Sequence, residues 1–268
     1  MHESYPPIVE RGKAAGGAPN VVIVCEHASY TIPPHYDDLG LDAADRQSHI
    51  AWDPGALGVA RQIRQHLDAD LIAGSVSRLL YDCNRPPEAP SAMPDKSEIY
   101  TIPGNLALTD AERIARTNAI YVPFRKALTE VLDFHEHCIL ITIHSFTPIY
   151  RGVWRDCEIG VLHDADSRLA NAMLAAVPNG FPFKIELNVP YSATDGVTHT
   201  LKTHAISRGW PNVMLEIRSD LIETTIQQDH MAAQIVSLLT AAVSKMKEKE
   251  ERNVQDFTKR DRQKNRSR

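Results

Sequence analysis

Short apolar runs divide the chain into segments that have the length of buried strands. Asn20–Cys25 is rich in β-branched residues, as expected for a strand buried on both faces of a parallel sheet. Ala69–Leu80 is strand-like in its first part. Four later segments have the same apolar character and are also predicted to be strands: Cys138–Ile143, Glu158–Leu162, Lys184–Val189 and Asn212–Ile217.

Segments with helical periodicity lie between these strands. Pro54–Leu67 carries apolar residues at helical spacing. Thr109 and Glu112 form a capping-box pattern, and the helix that they begin is expected to run toward Phe134. Ser91–Thr109 is rich in Pro, Ser and Gly and is predicted to be a long loop. Two more helices are predicted: Ser167–Val177 and Leu221–Lys247. Strands that alternate with helices predict an α/β three-layer sandwich with a mainly parallel central sheet.

The charge of the chain is unevenly distributed. The 268 residues carry a net charge of −5, from 29 basic and 34 acidic side chains. Residues 245–268 hold 10 of the basic and 5 of the acidic side chains, which leaves 19 basic and 29 acidic side chains, a net charge of −10, before residue 245. We predict a loose arm over residues 1–19, one catalytic domain over 20–244 and a basic tail over 245–268.

Several classes of protein are excluded by this composition. An acidic body is unsuited to nucleic acid, which binds to basic surfaces. No segment approaches the roughly 20 apolar residues of a membrane helix, and the first residues do not follow a signal-peptide pattern. The four cysteines are far apart, so we expect free thiols and a cytoplasmic location.

Polar side chains follow or close three of the predicted strands, where ligands gather in open α/β sheets. His27 follows the first strand and His144 follows the strand that ends at Ile143, while Glu216 lies at the end of a third strand. Asp53 precedes a predicted helix, where it is either a metal ligand or the N-cap of that helix. Glu26 is the second choice of carboxylate ligand, because in an extended segment its side chain points away from that of His27.

Two histidines and a carboxylate that leave one position open are the ligand set of a catalytic zinc site. The sequence therefore predicts Zn²⁺, or another divalent transition metal, held by His27, Asp53 and His144. Such a metal acidifies water and polarises a carbonyl, and a separate carboxylate then moves the proton. Glu216 is the candidate for that general base. The alternative for Glu216 is a buried structural carboxylate paired with Arg218.

Seven short segments together resemble the N-formylglutamate amidohydrolase family and occur in the order of that family, from about residue 20 to residue 222. They are VCEHAS, DPGA, NRP, IHSFTP, NVPYS, DGVTHT and LEIRSDL. The resemblance implies hydrolysis of N-formyl-L-glutamate to formate and glutamate, a step of histidine degradation. It also implies a phosphorylase/hydrolase-like, zinc exopeptidase-like sandwich, because the family is remotely similar to zinc carboxypeptidases and zinc-dependent cell-wall amidases.

The remote similarity also implies roles for individual residues. His144 resembles the later histidine ligand of the carboxypeptidases, Glu216 their general base, and Asn84 with Arg85 their pair for a substrate carboxylate. The carboxypeptidase His-x-x-Glu motif is absent, because Tyr30 stands three residues after His27. This departure favours Asp53 as the third ligand.

A small anionic N-acyl amino acid needs cationic and polar groups in its pocket. Arg85 is the first candidate for binding its carboxylate. Asn84 either helps to hold that carboxylate or caps a turn. Further candidates for contact with substrate are Arg78, Arg151, Arg155, Arg218, Ser192, His199 and His204. For Arg151 and Arg155 a surface or structural ion pair is the stronger expectation, and both histidines can also be polar loop residues.

Two other functions are compatible with the same residues. One is a zinc-dependent peptide or peptidoglycan amidase with a carboxypeptidase-like mechanism. The absence of a signal-peptide pattern argues against a cell-wall substrate. The other is a non-catalytic binding protein on the same fold, and the joint presence of His27, His144 and Glu216 argues against it.

Overall fold

The computed structural model describes residues 3–13 and 20–266. Eleven strands are present in the described residues: β1 Ile8–Glu10, β2 Val21–Cys25, β3 Asp70–Ala73, β4 Lys96–Ser97, β5 Tyr100–Thr101, β6 Ile139–Phe146, β7 Ile149–Tyr150, β8 Val153–Trp154, β9 Ile159–Leu162, β10 Ile185–Leu187 and β11 Asn212–Arg218. Seven of them form one sheet in the order β1-β3-β2-β6-β11-β9-β10, while β4–β5 and β7–β8 are small hairpins.

The centre of the sheet is parallel. β3, β2, β6 and β11 run in one direction, and β10 is parallel to β9. Only the pairings of β1 with β3 and of β9 with β11 are antiparallel within the described part of this sheet. The predicted mixed α/β fold with a mainly parallel sheet is therefore confirmed.

Helices cover both faces of the sheet. They are α1 Ala43–Gln47, α2 Ala56–Leu67, α3 Asp110–Arg116, α4 Val122–Asp133, α5 Arg168–Ala176 and α6 Thr225–Arg266. Successive β2 residues point to opposite faces, so Ile23 packs in the core with α2, α5 and α6, whereas Val24 packs in the core with α4. Both cores contain many fully buried aliphatic side chains, and together they give the predicted three layers.

The structure differs from the sequence prediction at both ends of the chain. Residues 1–19 were predicted to be a loose arm, but Ile8–Glu10 forms the edge strand β1 on β3. Residues 1, 2 and 14–19 of that arm lie outside the described residues. At the other end, the predicted helix ends at Lys247, whereas α6 continues to Arg266. No helix in the described residues is long and apolar enough to cross a membrane.

Two local differences affect the middle of the chain. The single helix predicted from Thr109 is present as α3 and α4, joined by a π-helical turn over Thr117–Tyr121. The strand predicted to end at Ile143 continues as β6 to Phe146, so His144 lies inside the sheet. The predicted capping box is present, because the Thr109 and Glu112 side chains each bond the other residue's backbone N–H. All four cysteines are buried free thiols.

Candidate active site and metal centre

The carboxyl ends of β2, β6 and β11 meet at one edge of the sheet beside a cavity of about 320 Å³. His27 follows β2, His144 lies in β6, and Glu216 lies in β11 directly opposite His144 in the parallel register. Asp53 reaches the same place from the loop before α2. All four side chains line the cavity, and all four residues are buried. The topology thus brings together residues that lie far apart in the sequence.

Three potential ligand atoms form a tight triangle in this site. The Asp53 Oδ2 atom lies 3.1 Å from His27 Nδ1 and 2.9 Å from His144 Nδ1, and the two Nδ1 atoms are 3.2 Å apart. The edge of a tetrahedron around zinc, with bonds of 2.0–2.1 Å, is about 3.3 Å. The spacing and the chemistry of the three donors therefore fit a divalent metal, and this group is suited to hold one.

The geometry excludes one of the two alternatives for Asp53, the N-cap of α2. The N-cap of α2 is Gly55, and no side chain caps this helix. The Asp53 carboxylate instead accepts hydrogen bonds from the Ser145 N–H (3.3 Å) and from Arg78 Nη1 (3.3 Å). Gly55 has a φ of 80°, and a side chain there would meet the Ile222 carbonyl oxygen, so glycine allows this turn to pack against the segment after β11.

A second carboxylate lies behind each histidine. The Asp82 Oδ1 atom is 2.7 Å from His27 Nε2, and the Glu26 Oε2 atom is 3.1 Å from His144 Nε2. At His27 the Asp82 carboxylate places the ring proton on Nε2 and leaves the Nδ1 lone pair for a metal. At His144 the Glu26 carboxylate is a close charged contact without hydrogen-bond geometry. Glu26 was the second choice as a ligand, but the structure places it on the far side of the His144 ring. Glu26 therefore lies outside the triangle of donor atoms.

Asp82 is a functional residue that sequence reasoning missed. Besides His27, its carboxylate bonds Arg78 Nη2 (3.0 Å) and the Asn84 N–H (2.9 Å). Burial opposes its ionisation, but the charges of His27 and Arg78 hold the pKa of Asp82 well below its ordinary value. The available signal was a carboxylate two residues before the Asn84–Arg85 pair.

Arg78 was predicted to contact substrate, and it does line the cavity. Its two terminal nitrogens, however, are bonded to Asp53 (3.3 Å) and Asp82 (3.0 Å). Its charge is therefore used to hold these two carboxylates in place. This makes Arg78 a positioning residue rather than a free cation for substrate.

Glu216 has the environment of a general base. Burial raises the pKa of this carboxyl to about 7, an effect that nearby Asp53 reinforces and the site histidines oppose. Its Oε2 atom is buried and has no hydrogen-bond partner among the described residues. The alternative pairing with Arg218 is not observed, because Arg218 bonds Asp220 (2.8 Å) and Glu158 (3.3 Å) and does not line the cavity. The structure therefore does not place Arg218 in the cavity wall, and its contact with substrate stays a prediction.

The Asn84–Arg85 pair lies at the cavity and ties a distant loop to it. The Asn84 amide donates to the Val197 carbonyl and accepts from the Thr200 N–H (3.0 Å), so it organises this loop. Arg85 donates through Nη1 to the Gly196 carbonyl. Within the described part of the chain no carboxylate forms an ion pair with Arg85, so its charge is available to an anionic substrate.

Three further candidates for substrate contact are not in the cavity wall. His199 bonds the Tyr121 hydroxyl through Nε2 (2.8 Å). His204 is buried in a helical turn, where burial lowers its pKa to about 4. Ser192 caps a short turn with Asp195. The structure does not bring these three side chains into the cavity lining, so their contact with substrate stays a prediction.

Other cavity residues were not identified from the sequence. Tyr150 and Tyr191 contribute aromatic rings to the wall. His49 and Glu98 form a hydrogen bond there, with His49 Nε2 2.8 Å from Glu98 Oε2. These residues come from loops and from the short hairpin strand β7, which carry no strand-end signal, so only the folded chain reveals them.

Comparison with known proteins found a matching family model and similar solved structures. A family model described as N-formylglutamate amidohydrolase matches residues 19–223. The fold is similar to that of a gene product from Agrobacterium tumefaciens (TM-score 0.87, 49% identity, 91% of this chain and 97% of that chain). It is also similar to an N-formylglutamate amidohydrolase from Ralstonia eutropha (TM-score 0.56, 17% identity, 90% of this chain and 98% of that chain). No curated protein matches.

Proposed function

Because the chain belongs to the N-formylglutamate amidohydrolase family, we propose that it hydrolyses the amide of an N-acyl amino acid with the help of a divalent metal. N-formyl-L-glutamate is the proposed substrate and Zn²⁺ the proposed metal, held by His27, Asp53 and His144. The observation that carries this proposal is the triangle of three buried donor atoms 2.9–3.2 Å apart, beside a buried carboxylate.

The residues of the site divide the reaction between them. A bound divalent metal supplies Lewis acidity, which polarises a carbonyl and makes water more acidic. Glu216 removes the proton from the attacking water and delivers it to the leaving nitrogen, because it is the cavity carboxylate with a raised pKa and an unpaired oxygen. Arg85 holds a carboxylate of the substrate. Asp82 and Glu26 orient the two histidines.

The free thiols bear on the cellular compartment of the proposed reaction. Four free cysteines suit a reducing compartment, and we propose the cytoplasm. The products would be formate and L-glutamate, as at the end of a histidine-degradation route. The 20–244 segment acts as the single catalytic domain in this proposal.

The direct test is formate release by protein loaded with metal. We expect protein with one equivalent of Zn²⁺ to release formate from N-formyl-L-glutamate, His27→Ala to lose the metal, and Glu216→Gln to keep the metal without turnover. If zinc, cobalt and manganese forms all fail to release formate from any N-formyl amino acid, the proposed reaction is wrong. Stoichiometric metal without turnover would instead support a binding protein.

A further inference from the structure

The geometry points to Arg155 as the residue that holds the second carboxylate of a dicarboxylic substrate. This inference rests on the proposed function, since it explains how the same cavity would select N-formyl-L-glutamate over N-acyl amino acids with one carboxylate. It concerns a residue outside the metal centre and outside the Asn84–Arg85 pair.

The backbone of Arg155 is fixed at both of its polar groups. Its N–H donates to the Pro148 carbonyl (2.8 Å), which closes the loop around the β7–β8 hairpin. Its carbonyl accepts from Arg218 Nη1 (3.1 Å). The side chain therefore begins from a defined point beside Phe146, the residue that ends β6 next to the cavity.

Three aromatic rings surround the Arg155 guanidinium. Its central carbon lies 4.4 Å from the centre of the Tyr150 ring, 5.2 Å from that of Tyr191 and 5.4 Å from that of Phe146. All three of these residues line the cavity, whereas Arg155 itself is not part of the lining. Because ring faces attract the flat face of a guanidinium, the three rings hold it next to the cavity wall without neutralising it.

Arg155 forms no ion pair with a carboxylate among the described residues. Its side chain donates to the Thr147 carbonyl over a long distance (3.4 Å) and also hydrogen-bonds the Tyr191 hydroxyl. The missing ion pair distinguishes it from two neighbouring arginines. Arg78 is bound by two aspartates, and Arg218 is bound by Glu158 and Asp220. A partly buried guanidinium without a counterion, held by rings of the cavity wall, is suited to bind an anion that enters the cavity.

The remaining charges of the wall support a substrate with two negative groups. Glu98 accepts from His49 (2.8 Å) and from the Arg151 N–H (3.0 Å). Asp195 accepts from the Ser192 N–H (2.8 Å). These carboxylates already have hydrogen-bond donors other than the two arginines, although the charge of Arg155 also acts on Glu98. Arg85 and Arg155 therefore provide one cation for each carboxylate of N-formyl-L-glutamate.

The test compares N-formyl-L-glutamate with N-formyl-L-glutamine, which has nearly the same shape but one carboxylate fewer. We expect the zinc-loaded protein to prefer the glutamate derivative in kcat/KM. Arg155→Gln should lower kcat/KM for the glutamate derivative by roughly 10- to 100-fold and change that for the glutamine derivative by less than about threefold. Arg155→Lys should recover part of the preference, because it keeps the charge but loses the planar fork.

A matched control and a binding measurement separate specificity from folding. Arg125→Gln removes one positive charge from an exposed position on α4 and should leave the preference unchanged. Calorimetric titration of the Glu216→Gln protein with both compounds, with and without Arg155→Gln, measures the preference in the absence of turnover. A loss of stability alone would weaken binding of both compounds equally.

The outcomes distinguish this inference from the proposed function. If Arg155→Gln retains the full preference in kinetics and in binding, or if the parent protein shows no preference, Arg155 is not the second anchor, even when both compounds are hydrolysed. If neither compound is hydrolysed but the parent binds the glutamate derivative preferentially through Arg155, the inference stands and the proposed reaction fails.

Discussion

Substitution of Asp82 by asparagine tests whether the carboxylates behind the histidines support metal binding. Asn keeps the size of the side chain but removes its charge, and its amide cannot accept from His27, Arg78 and the Asn84 N–H as the carboxylate does. The His27 contact is short (2.7 Å) and both side chains are buried, so water cannot replace it. The substitution also leaves Arg78 with only one of its two carboxylate partners.

The expected loss of metal affinity is 10- to 100-fold, or about 1.4–2.7 kcal/mol of binding free energy. We expect the upper part of this range, because the half-compensated Arg78 charge then opposes a dication as well. Competition for Zn²⁺ against a chromophoric chelator at constant pH measures this change. Urea unfolding of the metal-free proteins, run in parallel, reports any loss of fold stability separately.

Asp70 provides a matched control for this experiment. It is a buried aspartate that also contacts a histidine, with Asp70 Oδ2 3.0 Å from His135 Nε2, but it lies at the amino end of β3, opposite the active-site edge. Asp70→Asn should reduce the free energy of unfolding and leave zinc affinity unchanged. The reasoning is refuted if Asp82→Asn binds zinc within twofold of the parent protein, or if Asp70→Asn loses as much affinity.

Three further predictions concern proton transfer, pH and helix capping. Glu216→Gln should lower kcat for formate release by about 10²- to 10⁴-fold with the metal content unchanged, and a loss below tenfold would exclude Glu216 as the base. Burial lowers the pKa of His204 to about 4, whereas the unfolded chain has a histidine pKa of about 6.5. The unfolded state therefore binds the proton more readily, and the free energy of unfolding falls as the pH drops from above 6.5 toward 4. Urea titrations should show that the free energy of unfolding falls by up to about 2 kcal/mol between pH 8 and pH 5. His204→Asn should remove this fall, and parallel pH profiles for the two proteins would contradict the prediction. Thr109→Ala should lower the free energy of unfolding by about 1 kcal/mol in the same assay, whereas Thr109→Ser, which retains the capping oxygen, should not.

The main elements of the fold could be predicted because their sequences carry a repeating physical signal. Each central strand is a continuous apolar run, and α2 and α5 have one apolar face, so local pattern was sufficient. The edge strand β1 lacks such a signal, because it has three residues and both Ile8 and Val9 remain exposed. The sequence also gives no signal for the π-helical turn between α3 and α4, since its residues continue the helical pattern.

The sequence could predict those site residues whose position in a strand determines where the side chain lies. His27, His144 and Glu216 belong to the active-site ends of parallel strands, so the topology alone brings them together. His199 and His204 illustrate the limit of this reasoning. The sequence does not predict the helical turns that carry these two histidines. Only the folded chain shows that His199 bonds Tyr121 and that His204 is buried, with both outside the cavity lining.

The charge of the site explains why the acidic body of the chain is consistent with an anionic substrate. Asp53, Asp82, Glu26 and Glu216 are buried at the centre, and Arg78 is the one arginine of the described chain that forms ion pairs with any of them. Buried carboxylates in this excess require compensation, and a divalent metal between His27, Asp53 and His144 would supply two positive charges there. The raised pKa of Glu216 follows from its burial and from the same excess of negative charge. With the central carboxylates compensated in this way, Arg85 and Arg155 are left to attract the proposed substrate. The local charge at the cavity therefore differs from the negative net charge of the body.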